Sequence, residues 1–297
     1  MTTVPLDERV QCVVRSEVNQ RPNNEDSVQV LSLPGQGMNG PLYLLSIADG
    51  MGGHAHGEDV SQEGLRKISG TLLEELLIRP SINPKGPLPP RTTAQIEAAV
   101  YSAITQANTF LKRMISSNNW GVAGATLVLA LVSHDRAWVS NLGDSPLYHW
   151  QGTTGELRQI TEDHTVTNAL LKGGQISPEV AEHHSYKNVL ELYLGCDELP
   201  DPLPFYEIPL AVGDRLLLCS DGVNGDLSDE TIGSILENQA PLEEIAEQLI
   251  QAARAADSKD NQTLVLWQHP VHTRHDAETI REAHQGLSSN RTLMQPS

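Results

Sequence analysis

Four short apolar runs in this chain stop or start at an aspartate, and that grammar restricts the fold more than any other feature. Leu42-Tyr43-Leu44-Leu45-Ser46-Ile47-Ala48 leads into Asp49-Gly50-Met51-Gly52-Gly53-His54. Arg215-Leu216-Leu217-Leu218-Cys219-Ser220 leads into Asp221-Gly222. Trp138-Val139-Ser140-Asn141-Leu142-Gly143 leads into Asp144, and Asp260-Asn261 opens Gln262-Thr263-Leu264-Val265-Leu266-Trp267. Each run is too short to span a membrane and suits a buried strand. Acids at strand ends, with Gly beside three of them, suit a shared oxygen-ligand site for hard cations such as Mg²⁺ and Mn²⁺. A single Asp-Gly reads better as a hairpin turn, but four repeats of the pattern shift the balance toward a site.

The 297 residues leave room for one large domain or two smaller ones. The net charge of -18, from 20 basic and 38 acidic residues, argues against non-specific nucleic-acid binding and against docking on anionic membrane. The three cysteines, Cys12, Cys196 and Cys219, cannot all pair within one chain and show no CxxC spacing. Cys12 and Cys219 lie in apolar runs and read as core residues. A reducing cytoplasm fits, and the polar, acidic start Met1 to Glu8 has no signal-peptide pattern.

Strands are expected over 10–18 and 28–33, enclosing the loop Arg21-Pro22-Asn23-Asn24-Glu25-Asp26. An Arg beside two acids reads as a surface ion pair, or as a fork that grips phosphate beside a metal-binding acid. Helical periodicity follows over 57–78, then a Pro-rich exposed loop over 80–90. Thr92 and Gln95 form a capping-box pattern for a helix reaching about Ser117. A strand is expected over 127–132, then a meander of 136–142 and 146–150 with Asp144 at its turn. Thr161 to Thr165 opens a helix, and Ser177-Pro178 starts another. The mixed stretch 165–204 reads as a small mobile subdomain. Strands 205–209 and 215–219 are expected to pair, joined by Ala211 to Asp214. Helices from Ser228 and over Leu242 to Ala255, then a strand over 262–268, close the domain, and 269–297 reads as a polar tail. Regular βαβ alternation is absent, so an α+β domain with antiparallel sheets and helices outside them fits best.

Seven motifs in order resemble the metal-dependent protein phosphatases (PPM), the type 2C serine/threonine phosphatases, in their bacterial form. They are Arg21 to Asp26, Ala48 to His54, Gly124-Ala125-Thr126-Leu127, Asn141 to Ser145, Thr161-Glu162-Asp163-His164, Leu218 to Gly222, and Asp260 to Thr263. The resemblance covers residues 10–268. It implies a β-sandwich of two antiparallel sheets flanked by helices on both sides, with 1–268 as the catalytic domain and 165–204 as its flap. It also implies two bridged Mn²⁺ or Mg²⁺ ions, with the third, weaker ion that bacterial members often bind. Carried over residue by residue, Asp49 bridges both ions and Asp221 and Asp260 complete one. The Gly50 carbonyl ligates the other, and Glu25 and Asp26 act through water. Asp144 serves a third ion with Asp221, and Arg21 grips the substrate phosphate.

The activity implied is hydrolysis of phosphoserine and phosphothreonine in a phosphorylated protein substrate, by a metal-bridging hydroxide attacking phosphorus in line. The protein is expected to be a cytoplasmic monomer with no nucleic-acid or membrane partner. Two other readings use the same residues: a catalytically silent regulatory module, and a metal-dependent hydrolase of small phosphoesters. The intact set Asp49, Asp221 and Asp260 speaks against the silent module. Three positions depart from the family pattern. Met51 stands where many eukaryotic relatives have a His proposed as general acid, with His54 nearby but offset. Pro146 stands where Arg is frequent after Gly-Asp-Ser. Gln262 replaces the commoner Ile or Val and is expected to be a harmless strand change. His164, Thr126 and Ser145 are expected to be structural.

Overall fold

The computed structural model describes residues 2–3, 11–33, 41–52, 56–78, 91–133 and 135–269. The loop 80–90, His54 and most of the tail lie outside the described residues. Two antiparallel six-stranded sheets pack face to face, with helices on each outer side. The first sheet has the order β1 (Thr2–Thr3), β2 (Gln11–Glu17), β12 (Gln262–Gln268), β11 (Arg215–Cys219), β8 (Leu147–Trp150), β9 (Leu157–Gln159). The second has the order β10 (Tyr206–Pro209), β7 (Arg136–Leu142), β6 (Leu127–Val132), β4 (Leu42–Met51), β3 (Asp26–Leu33), and the short β5 (Gly124–Ala125) pairs with the end of β4.

The central strands β4, β6 and β11 read as nearly unbroken apolar runs because both their faces are covered. Tyr43, Leu45 and Ile47 face the space between the sheets, where they meet Cys12, Leu216, Leu218 and Trp267. The alternate residues Leu42, Leu44 and Ala48 face outward onto α1 (His56–Leu73) and α2 (Thr93–Asn118). On the other side, Leu217, Cys219, Leu264 and Leu266 face α6 (Asp229–Leu236) and α7 (Leu242–Ala255). Period-two alternation therefore separates two apolar cores rather than core from solvent. Burying a Leu or Ile on each such face stabilises the fold by roughly 1.5–3 kcal/mol. The capping box of α2 forms as expected, with Thr92 and Gln95 bonding reciprocally.

Three expectations are corrected. Segments 136–142 and 146–150 are not a meander, because β7 and β8 belong to different sheets. Both edges of β7 are taken by β6 and β10, so the chain has to leave the sheet. It does so at Gly143, whose φ of 97° lies in the left-handed region that a side chain resists. Segments 205–209 and 215–219 are not paired either: β10 lies on β7, whereas β11 lies between β8 and β12. The link between them is tied down by Asp214, whose carboxylate accepts from the Ala211 and Gly152 N–H groups, both at 2.9 Å, and bonds His149 Nε2 at 2.8 Å. Finally, His269 belongs to the fold, since it is buried and its N–H donates to the Asp214 carbonyl at 2.8 Å.

Candidate active site

The expected acids converge on one end of the sandwich, and the two sheets contribute them separately. Register sets the first pair: Asp26 on β3 and Asp49 on β4 are Cα partners across the ladder. Asp49 is not at the end of its strand, because β4 continues through Gly50 and Met51, which pair with Ala125 and Gly124. Asp221 is the first residue of the short helix α5 (Asp221–Asn224), with Ser220 at its N-cap, so the Asp-Gly there is a helix start and not a hairpin. Asp260 stands just before β12, and Asp144 lies on the crossing between the sheets. A hollow of about 600 Å³ is lined by Arg21, Glu25, Asp49, Asp144, Asp221 and Asp260, with Gly50 on its wall.

Hydroxyls and amides hold these acids in place. The Asp49 N–H donates to Thr126 Oγ1 at 2.9 Å, and that hydroxyl is 2.6 Å from Ser145 Oγ. Ser220 Oγ donates to Asp26 Oδ2 at 2.7 Å and receives the Thr263 N–H at 3.1 Å. Asn261 is a hub that sequence reasoning passed over. Its Oδ1 accepts from the Glu25 N–H at 2.9 Å, and its Nδ2 donates to the carbonyls of Val18 at 3.0 Å and Asn23 at 2.9 Å. The signal was the adjacency of Asn261 to Asp260, but its partners are more than two hundred residues away in sequence. His164 is structural as expected: its Nδ1 accepts from the Gly143 N–H at 3.2 Å beside Asp144.

Arg21 is exposed and reaches Asp260 Oδ2 at 2.5 Å, not the Glu25 and Asp26 beside it in sequence. That contact engages one of five N–H donors and leaves the rest of the fork for another anion. A second hollow of about 620 Å³ shares Arg21, Asp144, Asp221 and Asp260 with the first. Its far wall is the stretch holding α3 (Val166–Lys172) and α4 (Pro178–Glu182), closed at its stem by bridges from Thr165 to Leu190 and from Ala125 to Leu194.

Burial and mutual repulsion raise the proton affinity of Asp26, Asp49, Asp144 and Asp221. Asp49 is held well above the ordinary range by desolvation, then by Asp26, Asp221, Asp144 and Asp260. Desolvation raises Asp144 to about 7, with Asp221 and Asp163 adding to it. Asp26 is raised to about 6 by desolvation, against the lowering effect of the Thr263 and Ser220 hydroxyls. Asp221 is raised by desolvation and Asp260, and its hydrogen bond with the Asp49 carboxyl opposes this. Among the described residues, no three His, Cys, Asp or Glu side chains stand close enough to enclose an ion alone. Any shell there would need main-chain oxygen and water. The residues do fit a cation: Asp26 Oδ1 and Asp221 Oδ1 are buried and accept no hydrogen bond. Orphaned anionic oxygens beside four further acids and one arginine call for positive charge.

The family profile described as protein phosphatase 2C matches residues 16–267. Serine/threonine phosphatase Stp of Listeria welshimeri is 31% identical over 229 residues, covering 77% of this chain and 84% of that protein. Serine/threonine protein phosphatase PstP of Mycobacterium tuberculosis is 34% identical over 249 residues, covering 83% of this chain and 42% of that protein. The crystal structure of the PstP catalytic domain in complex with two manganese ions superposes with a TM-score of 0.66 at 30% identity, covering 88% of this chain and 98% of that one. The layered sheets, the converging acids and these likenesses agree: the chain belongs to the protein phosphatase 2C family of metal-dependent serine/threonine protein phosphatases.

Proposed function

We propose that the cleft at the sandwich end hydrolyses phosphoserine and phosphothreonine in protein substrates, with Mn²⁺ or Mg²⁺ held by Asp49, Asp221, Asp260 and the Gly50 carbonyl. Glu25 and Asp26 contribute through water, and Asp144 with Asp221 offers a further, weaker position. The observation that carries this reading is the pair of buried carboxylate oxygens, Asp26 Oδ1 and Asp221 Oδ1, that no protein donor meets. When bound, divalent cations supply an acidified water as nucleophile and positive charge for the phosphoryl oxygens.

The chain's own residues prepare the rest. Asp49 is anchored through its main chain by Thr126, so its carboxylate is aimed before substrate arrives. Arg21 stands at the mouth, exposed and charged, and its planar fork matches two oxygens of a phosphoryl group. Asn261 fixes the loop that carries Arg21 and Glu25. The two hollows share Arg21, Asp144, Asp221 and Asp260, so residues flanking the phosphorylated one can lie to either side.

The test is dephosphorylation of a phosphothreonine peptide by the purified protein with Mn²⁺, with Mg²⁺ and with chelator. Turnover that needs the metal and returns when chelator is removed supports the reading. A folded protein with no turnover under either metal would favour the silent regulatory module. Turnover of small aryl phosphates but of no phosphopeptide would favour the small-phosphoester hydrolase.

A further inference from the structure

Gln262 is a polar side chain buried where an aliphatic one would serve. It opens β12 directly after Asp260 and Asn261, pairs with Glu17 of β2 and lies beyond the end of β11. Its side chain is fully buried. Nε2 donates to the Gly222 carbonyl at 3.2 Å, and Oε1 receives no hydrogen bond. A buried amide oxygen without a donor costs stability, which an apolar side chain of the same size would not.

Gly222 is where the donor is needed. α5 is one turn long, so side chains from the opposite segment serve this carbonyl: Ser258 Oγ at 2.7 Å and Gln262. The turn is pressed so tightly onto the Asp260–Asn261 segment that a Cβ at Gly222 would collide with the Asn261 carbonyl oxygen. Asp221 and Asp260 therefore sit on two segments whose separation is set by these contacts.

We infer that Gln262 is a positioning residue: it fixes the Asp221-Gly222 turn against the Asp260 turn and so sets the spacing of that carboxylate pair, at a cost in stability. This rests on the proposed assignment of Asp221 and Asp260 to one cation. It stands against the expectation that Gln262 is a harmless change of strand residue. Partners that orient metal-binding carboxylates act on affinity without touching the ion.

The experiment compares wild type with Gln262→Met, which keeps the volume and removes both polar atoms. Mn²⁺ binding is measured by calorimetry, and the Tm of metal-free protein is measured in chelator. The variant is expected to bind Mn²⁺ roughly tenfold more weakly. Its metal-free Tm is expected to be unchanged or higher by about 2–4 °C. Ser258→Ala, which removes the other donor to Gly222, is expected to weaken Mn²⁺ binding as well. Mn²⁺ affinity within twofold of wild type in Gln262→Met would overturn the inference. So would weaker binding accompanied by a lower Tm, which would make Gln262 an ordinary packing residue. Wild type that binds Mn²⁺ yet turns over no phosphopeptide would sink the proposed function alone and leave this comparison standing. Wild type that binds neither Mn²⁺ nor Mg²⁺ would overturn both.

Discussion

Asp26 and Asp49 face each other as Cα partners across the β3–β4 ladder. Like charges directly opposite on a ladder destabilise a sheet. Asp26 is also buried, and its charge raises the proton affinity of Asp49 beyond what desolvation does. Asp49→Asn is therefore expected to raise the metal-free Tm at pH 8 while removing most turnover. Loss of a metal-holding carboxylate costs several kcal/mol of transition-state stabilisation, on the order of a thousandfold in kcat. A variant with full metal-dependent turnover would remove Asp49 from the centre.

The raised acids give the metal-free protein a distinctive pH dependence. An unfolded Asp titrates near 3.9, approximately, whereas Asp26 and Asp163 are raised to about 6 and Asp144 to about 7 in the fold. Between these values the folded state binds more protons, so its stability falls as pH rises. The contribution is complete below pH of about 4 and lost by about 7 or 8. Melting curves in chelator are expected to show Tm falling across that window. Mn²⁺ competes with the same protons, so its affinity is expected to strengthen over the same range. Flat Tm and affinity across it would contradict the raised acids.

Thr126 offers a test of main-chain anchoring. Thr126→Val keeps the shape but removes the acceptor for the Asp49 N–H and the partner of Ser145. The expected cost is about 1–3 kcal/mol in unfolding free energy, because a buried N–H loses its acceptor. Turnover should fall through kcat more than through KM. Thr126→Ser should restore most of both, and chemical denaturation with steady-state kinetics reads the two effects.

Asn261 predicts the opposite kinetic split. Its three hydrogen bonds hold the loop on which Arg21 stands. Asn261→Ala should loosen that loop and raise KM for a phosphopeptide more than it lowers kcat. Each lost bond contributes about 0.5–1.5 kcal/mol, so a stability loss of a few kcal/mol is expected as well. Unchanged KM with reduced kcat would show that Asn261 acts on the acids instead.

Much of this site was legible in the sequence because the acids stand beside the strands that carry them. Residues such as Leu217-Leu218-Cys219 announce a strand, and the acid that follows is positioned by it. Pairing was less legible. Segments 136–142 and 146–150 sit four residues apart and look like a hairpin, yet Gly143 carries the chain to the other sheet. With both faces of strands such as β4, β6 and β11 buried, hydrophobic pattern does not say which sheet a strand joins. β9 is not legible because it is three residues long at a sheet edge, with Arg158 and Gln159 exposed and only Leu157 packed inward. Asp221-Gly222 is expected as the end of a strand, and the short helix that starts there is not legible because Ser220 at its N-cap makes no side-chain capping bond. The hub role of Asn261 was invisible, because it depends on contacts that only the closed sandwich creates.

The acids come from both halves of the sandwich: Asp26 and Asp49 from one sheet, Asp221 and Asp260 from the ends of strands in the other. A charge bound among them works like a rivet through two plates. Sliding of one plate over the other would pull the rivet's holes out of line. The protein's stiffness at this end is thus tied to ion concentration by mass action, and amide exchange in β4 and β11 should slow together as the ion is added.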